Sequence, residues 1–232
     1  MNETRNLLRY LIPAGIFQFQ VVLLLLIADW QLFRRINEYL IGQDPKVIAA
    51  IGAIALFAQP MLGHFIGLMH HSFYDQYSLL RSYPRISHER FVQDHNNLVF
   101  FNLPEGMRED ARTNSWIAVN YLWYSKMDIH GSERGIEERN NLFSHITHSA
   151  GTNYVGSFAA LALVIGIILV HCFTAPSIPH WHATFPLSLG IWCLLMRFHR
   201  KLYIRALDKQ RYFVETALLI QLRKREKRLF RW

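Results

Sequence analysis

Charged residues are missing from three long stretches of this 232-residue chain. No Asp, Glu, Lys or Arg occurs in residues 10–28, 47–74 or 140–196, which are runs of 19, 28 and 57 residues. A helix of about 20 apolar residues crosses a hydrocarbon core about 30 Å thick. These runs therefore exclude an ordinary soluble domain. The first two predict one membrane crossing each, and the third is long enough for two.

Cysteine is scarce, and a cleavage site is absent. The two cysteines, Cys172 and Cys193, fall in predicted spans near opposite ends of a hairpin, so they are too far apart to pair and imply no disulfide framework. The first apolar run is longer than a typical signal core, and Asp29 and Trp30 follow it instead of a small-residue cleavage site. We expect this run to remain as an anchor.

Familiar catalytic motifs are also missing from the sequence. It contains no phosphate-binding glycine-rich loop, no G-x-S-x-G elbow, no C-x-x-C pair and no H-E-x-x-H motif. The charge-free runs lack the Asp or Glu that proton-coupled transporters use, which argues against a proton-driven carrier. The 12 histidines complete no known ligand spacing. We therefore expect neither a metal nor a cofactor, and the chain is more consistent with a non-enzyme.

The positions of the runs predict an all-α integral membrane protein. We expect four transmembrane helices in two hairpins, with spans at about residues 10–29, 47–69, 153–173 and 183–198. Residues 1–70 then form the first hairpin and residues 153–198 the second. The connection at residues 71–152 and the basic tail at residues 199–232 together form a cytoplasmic helical region.

Basic residues near the span ends predict the orientation. Residues 197–232 hold 12 of the 25 basic residues and three acidic ones, which places the tail in the cytoplasm. An even number of spans puts the N-terminus, with Arg5 and Arg9, on the same side. The prediction is a multi-pass protein of the inner (plasma) membrane with both termini inside. Arg34 and Arg35 argue against this orientation, because they follow span one in a short loop placed outside.

The connection contains two predicted helices, at residues 87–101 and 108–127, separated by a Leu-Pro-Glu-Gly turn. The second helix carries four large aromatic residues. So many aromatics predict burial, either against the tail or against another subunit. These residues are Trp116, Tyr121, Trp123 and Tyr124.

Polar residues within the predicted spans are candidates for function, because polar groups are costly in a membrane. One interpretation is a kinked helix whose polar groups bond to neighbouring spans, and the other is a face that lines a pore. The candidate face consists of Gln18, Gln59, His64 and His71. Small residues at spacings of four predict close helix packing at Gly63, Gly67, Ala162 and Gly166.

The end of the tail is strongly basic. Five cations occur within six residues, and they are Arg223, Lys224, Arg225, Lys227 and Arg228. A solvated helix end that obeys the positive-inside rule explains them, and binding to anionic lipid headgroups is the sharper interpretation. Nucleic-acid binding is the least favoured one, because a single short basic run has no recognisable fold around it.

Arg139, Asn140 and His145 resemble the R-N-x-x-x-x-H signature of HEPN ribonucleases, a superfamily of helical, usually dimeric RNA-cleaving domains. The resemblance covers seven residues. It implies that Arg139 would stabilise developing phosphate charge and that His145 would act as a general acid or base. The alternative is a juxtamembrane helix whose Arg and His face water or headgroups.

Three functions follow from these observations. The first is a homo-oligomeric pore or channel regulated through its cytoplasmic region, because four short spans enclose too little space for a path in one subunit. The second is a membrane anchor or sensor that recruits a soluble cytoplasmic partner. The third is a membrane-tethered ribonuclease. Compact membrane proteins of this kind are common in prokaryotic antiviral defence, which is an analogy of architecture alone.

Overall fold

The computed structural model describes residues 7–75, 83–126, 134–174 and 181–229. Every element within these ranges is helical, and no strand occurs in them. The prediction of an all-α protein is therefore confirmed.

The first span ends at an acidic cap. A π-helical turn, Leu7–Leu11, leads into α1, Ile12–Ala28. Asp29 then leaves the helical region, with φ −145° and ψ 83°, and its Oδ1 accepts a hydrogen bond from the backbone N–H of Leu32 at 2.9 Å. This cap starts α2, Trp30–Ile41. The expected short loop after span one is thus a helix.

The second span lies in α3, Pro45–Asp75. Asp44 initiates this helix, because its carboxylate accepts a hydrogen bond from the Lys46 N–H at 2.7 Å and its carbonyl accepts one from the Val47 N–H at 2.8 Å. Pro60 lies inside the helix, where it cannot donate to the carbonyl four residues before it. In the most apolar stretch of α3, only 6% of residues are buried.

Four short helices follow, and each of the two helices predicted here is broken once. They are α4 (Glu89–Asp94), α5 (Asn96–Phe101), α6 (Glu105–Thr113) and α7 (Ser115–Lys126). The second break lies at Asn114, whose backbone is extended and whose Oδ1 accepts a hydrogen bond from the Trp116 N–H at 3.1 Å. Local side-chain capping of this kind competes with helix continuation.

Two long helices complete the chain. The sequence also predicts a helix from Glu133 towards His148 that leads into the third span, and helix α8, Arg134–Thr174, with 41 residues, joins the two without interruption. Helix α9, Trp181–Leu229, has 49 residues and contains both the predicted fourth span and the tail. The proline-containing connection between them lies outside the described residues.

The chain divides into two compact units. The membrane unit consists of Met1–Tyr83 and His148–Tyr203, and the second unit consists of Pro84–Thr147 and Ile204–Trp232. Helices α1, α8 and α9 supply the core of the membrane unit. Its buried residues are Leu24, Leu25, Ala28, Ala160, Val164 and Ile168.

The second unit has its own apolar core, which α4, α5 and α7 build with the part of α9 that belongs to this unit. Leu122 and Leu218 are fully buried in it. The aromatic helix α7 is buried on one side only. Trp123 is 8% exposed and lies 6.5 Å from the ring of Phe213, whereas Tyr124 is 72% exposed. Only part of the aromatic side of α7 therefore packs against the tail.

Among the described residues, three helices are long and apolar enough to cross a membrane. They cover Arg9–Ala28, Pro45–Tyr74 and Gly135–Thr174. The predicted fourth span is not among them, and its apolar stretch ends at Arg197. The chain therefore has the helices of a membrane protein, with three candidate crossings.

Candidate functional site

Two of the predicted intramembrane polar residues bond to each other. The Gln59 side-chain amide on α3 donates to the Gln18 side-chain carbonyl on α1 at 3.0 Å. Both side chains are part-buried, and the bond joins the first two spans. A hydrogen bond between helices satisfies groups that would otherwise be unpaired in hydrocarbon. The pair therefore stabilises the contact between the two helices.

His64 lies one turn further along α3. Its ring contacts the ring of Tyr10 edge to face, with centroids 5.5 Å apart. The neighbouring Gly63 packs directly on the backbone of Tyr10, because a Cβ built at position 63 would lie 2.7 Å from the Tyr10 carbonyl carbon. Glycine allows this close approach of two backbones.

The strongest concentration of polar side chains is a histidine cluster at the C-terminal end of α3. We define it as His70 and His71 on α3, His148 on α8 and the two tyrosines Tyr83 and Tyr203. The rings of His71 and His148 are 4.7 Å apart, and that of His70 is 5.6 Å from His71 and 5.8 Å from His148. Three imidazoles from two helices therefore meet at one point.

Hydrogen bonds connect the histidine cluster to Arg9 and connect two of its own members. The Arg9 guanidinium donates to Nε2 of His71 at 3.3 Å, and the Tyr83 hydroxyl shares a hydrogen bond with Nδ1 of His70. The Tyr203 ring on α9 meets the His70 ring edge to face at 5.4 Å. His70 is only 1% exposed, and a Cβ at Gly151 would overlap its ring. Glycine at position 151 therefore makes the space that His70 occupies.

Imidazole and phenol groups both donate and accept hydrogen bonds, so the histidine cluster can transfer protons or bind polar groups. Ionisable residues in a membrane protein are costly and mark functional sites by default. Among the described residues, no group of three or more His, Cys, Asp or Glu side chains has a geometry suited to a metal ion.

A second polar group lies at the other end of the membrane unit. Asp29 is 5% exposed, and its Oδ2 is 4.0 Å from Nε2 of His171. The Thr184 hydroxyl donates to the carbonyl of Ala28 at 2.8 Å, and the Ser188 hydroxyl donates to that of Leu24 at 3.0 Å. Hydroxyls of α9 thus bond to the last turns of α1.

Between these ends, the Gln20 amide donates to Nε2 of His199 at 3.0 Å, and both side chains are buried. The Gln20 carbonyl oxygen has no hydrogen-bond partner among the described residues. The sequence predicts both Gln18 and Gln20 as partners for the polar face of the second span, and Gln20 bonds instead to His199 on α9. The sequence signal existed, because a glutamine within an apolar run must find a partner from another helix.

The predicted packing residues differ in their surroundings. Gly63 touches Tyr10, and Gly67 lies 3.9 Å from the Thr152 hydroxyl. Ala162 is exposed, and a Cβ at Gly166 would meet nothing within 4 Å. Close contact within the described residues therefore occurs at the first pair and not at the second.

Arg139, Asn140 and His145 all lie on α8, in the second unit. Six residues at 100° each put Arg139 and His145 about 120° apart around the helix, so one helix does not bring them together. Arg139 is exposed, while the Asn140 side-chain oxygen is buried without a hydrogen-bond partner among the described residues. The ribonuclease function stays a prediction.

The basic tail ends in the last turns of α9. Arg223 and Lys224 are exposed there. The side chains of Arg225, Lys227 and Arg228 lie outside the described part of the chain. The prediction of headgroup binding by this run stays untested.

The second unit carries an open apolar groove of about 520 Å³ between α8 and α9. The surface that lines the groove is almost wholly apolar. Two of the lining residues are well exposed, Tyr212 at 72% and Ile220 at 51%. We call this surface the α8–α9 groove. Its main lining residues are Ile136, Phe143, Tyr212, Phe213, Ala217 and Ile220.

Comparison with known proteins found no matching family model, no matching curated protein and no matching solved structure.

Proposed function

We propose that the chain is a multi-pass membrane protein that assembles with copies of itself into a pore. In this proposal the chain crosses the membrane four times, both termini are cytoplasmic, and the second unit regulates the pore from the cytoplasm. The observation that carries the proposal is the first half of α3, which has almost no neighbour among the described residues.

Contacts of α9 support a fourth crossing. Thr184 bonds to Ala28 at one end of the first span, and Tyr203 contacts His70 in the histidine cluster, which Arg9 joins from the other end of that span. Residues 184–203 would extend about 30 Å as a helix, and the last seven of them, which include Arg197, Arg200 and Lys201, would reach the headgroups. The basic tail that follows supports a cytoplasmic C-terminus.

The uncovered part of α3 is residues 45–58. All but one of these residues are exposed, and the exception, Ala53, is half-buried. A Cβ at Gly52 would meet nothing within 4 Å. The stretch is rich in small residues, namely Ala49, Ala50, Gly52, Ala53, Ala55 and Ala58.

Small residues let transmembrane helices approach closely, and they are enriched where such helices touch. A surface that only met lipid would gain nothing from so many of them. A second copy of α3 fits this surface, because it presents the same small residues. Several copies arranged around one axis would line a path that a single subunit cannot enclose.

Cross-linking tests the assembly. In a background with Cys172→Ser and Cys193→Ser, we expect Gly52→Cys to form disulfide-linked dimers in native membranes. Leu194→Cys is the matched control, since Leu194 is 69% exposed on α9 and lies outside the uncovered part of α3. Equal cross-linking of both variants, or of neither, would show that lipid covers α3.

Flux through proteoliposomes tests the pore. We expect the protein to release small ions, and a thiol reagent that reacts with Gly52→Cys to reduce the release while leaving the Leu194→Cys protein unchanged. Oligomers that release no ions would support the proposed assembly and refute the proposed pore.

The α8–α9 groove favours a second function, the recruitment of a soluble protein. Its walls offer aromatic surface to an amphipathic helix, which is a common mode of peptide recognition. Two charged residues of opposite sign, Asp208 and Lys209, line the α9 side of the groove. They fit a helix that carries both a basic and an acidic residue beside its apolar face. The occupant we propose is such a helix of a soluble cytoplasmic partner.

The test compares Tyr212→Glu with Tyr124→Glu, because both tyrosines are 72% exposed and only Tyr212 lines the α8–α9 groove. We expect native mass spectrometry to show a fixed stoichiometry with a soluble protein that Tyr212→Glu abolishes and Tyr124→Glu preserves. If Tyr212→Glu instead reduces an oligomer of this chain to monomers, the groove binds a second copy and the recruitment proposal fails.

A further inference from the structure

Helix α2 has two chemically different faces. Five of its seven apolar residues recur at spacings of three and four, which puts them on one side of the helix, while Trp30 and Ile41 lie outside that side. The opposite side carries Gln31, Arg34, Arg35 and Glu38, and Arg34 pairs with Glu38 at 2.7 Å. The apolar face consists of Leu32, Phe33, Ile36, Tyr39 and Leu40.

No residue of α2 is buried within the described chain. Leu32, at the start of the helix, packs partly against the core of the membrane unit. Further along, Ile36 is 40% exposed and Tyr39 is 69% exposed. The apolar face therefore extends away from the core with nothing in the described chain to cover it.

Both ends of α2 are tied to the same side of a membrane hairpin. One residue, Asp29, separates α2 from the end of the first apolar span at Ala28. Only residues 42–44 separate it from α3, whose apolar sequence begins in its first turn. Twelve residues make a helix about 18 Å long. A straight helix with both ends at one membrane surface must lie along that surface.

We infer that α2 is an interfacial helix that binds the phospholipid surface, with its apolar face in the acyl chains and its polar face in water. Trp30 at the start of α2 and Tyr39 near its end are the aromatic types enriched at membrane interfaces. Arg34 and Arg35 then lie at the headgroup level, where anionic lipid attracts cations. This inference depends on the membrane spans and is independent of the pore.

The lipid contact also gives Arg34 and Arg35 a role on the side of the membrane opposite the basic tail. Their guanidinium groups form part of the charged face that an interfacial helix requires beside its apolar face. They are consequently weaker indicators of orientation than the basic residues that follow the fourth predicted span.

Spin labelling of the full chain tests the position of α2. Single cysteines replace Ile36 on the apolar face and Glu38 on the polar face, in the background without Cys172 and Cys193. The protein is reconstituted into vesicles of phosphatidylethanolamine and phosphatidylglycerol. Accessibility to oxygen, which partitions into lipid, is compared with accessibility to a water-soluble nickel chelate.

We expect the label at Ile36 to be the more accessible to oxygen and to lie about 5–10 Å below the headgroups, the depth typical of interfacial helices. The label at Glu38 should be the more accessible to the nickel chelate. Tyr39→Cys provides a second apolar-face position, and it should follow Ile36→Cys.

Two results would overturn the inference. Equal access of the nickel chelate to both faces would place α2 in water. Exclusion of both reagents from Ile36 and Tyr39 would show that protein covers the apolar face instead of lipid. Folding of each variant is checked by its helical circular dichroism before labelling.

Discussion

Replacing Gly63 by alanine should separate the start of the first span from α3. The new Cβ would lie 2.7 Å from the carbonyl carbon and 2.9 Å from the Cα of Tyr10. These atoms belong to the backbone, so they cannot rotate away as a side chain would. Overpacking of a core usually costs about 1–3 kcal/mol, and a rigid contact belongs at the upper end of that range.

Gly190→Ala is the matched control, because a Cβ at Gly190 would meet nothing within 4 Å. Both glycines lie inside long helices, so both alanines gain the same helix propensity of about 1 kcal/mol. The difference between the variants then reports the Tyr10 contact alone. For a chain of about this size, 1 kcal/mol corresponds to about 2–4 °C in Tm.

Thermal unfolding in detergent, followed by circular dichroism, measures this difference. We expect Gly63→Ala to melt about 2–12 °C below Gly190→Ala, which converts 1–3 kcal/mol at that rate. Equal melting temperatures would refute the close approach of Tyr10 and Gly63. A lower Tm for Gly190→Ala would show that α9 is packed where the structure leaves it open.

Two further measurements test the packing of each unit. A double-mutant cycle of Gln18→Leu and Gln59→Leu should give a coupling of about 0.6 kcal/mol, and at most about 1.7, as for hydrogen bonds between transmembrane helices; a coupling of zero would mean that the two amides do not bond. In the second unit, Leu122→Ala should lower stability by about 2–5 kcal/mol because the side chain is fully buried. Tyr124→Ala, exposed on the same helix, should change it by about 0.5 kcal/mol or less, and hydrogen exchange of α7 compares the two variants.

Local features of the fold are encoded in short stretches of the chain. Apolar runs without charge predict helices that cross a membrane, because each unsatisfied backbone group in hydrocarbon costs several kcal/mol and a helix satisfies all of its own. The predicted spans at residues 10–29 and 47–69 coincide with α1 and α3 apart from a few residues at their ends. The breaks at Asp29 and Asn114 were not predicted, since each depends on one side chain capping the helix that follows.

The contacts of the candidate site were only partly predictable. Gln18 and Gln59 were predicted to share one polar face, and they bond. His71 was predicted for that face and His70 was not, although His70 is the buried member that meets His148 and Tyr203. The environment of His70 depends on the space at Gly151, which belongs to a different helix and which no local pattern reveals.

By itself, the sequence determined the class of this protein and the approximate positions of its membrane helices, because hydrocarbon imposes length and composition on every helix that crosses it. The tertiary structure decided which side chains meet. Membrane helices are apolar on all sides, so their sequences carry little of the one-sided pattern that shows a soluble helix where its neighbours lie. The rotation of such a helix about its axis, and the neighbours that it contacts, depend on the packing of small residues and on polar pairs between distant segments. Such packing and such pairs exist only in the folded chain.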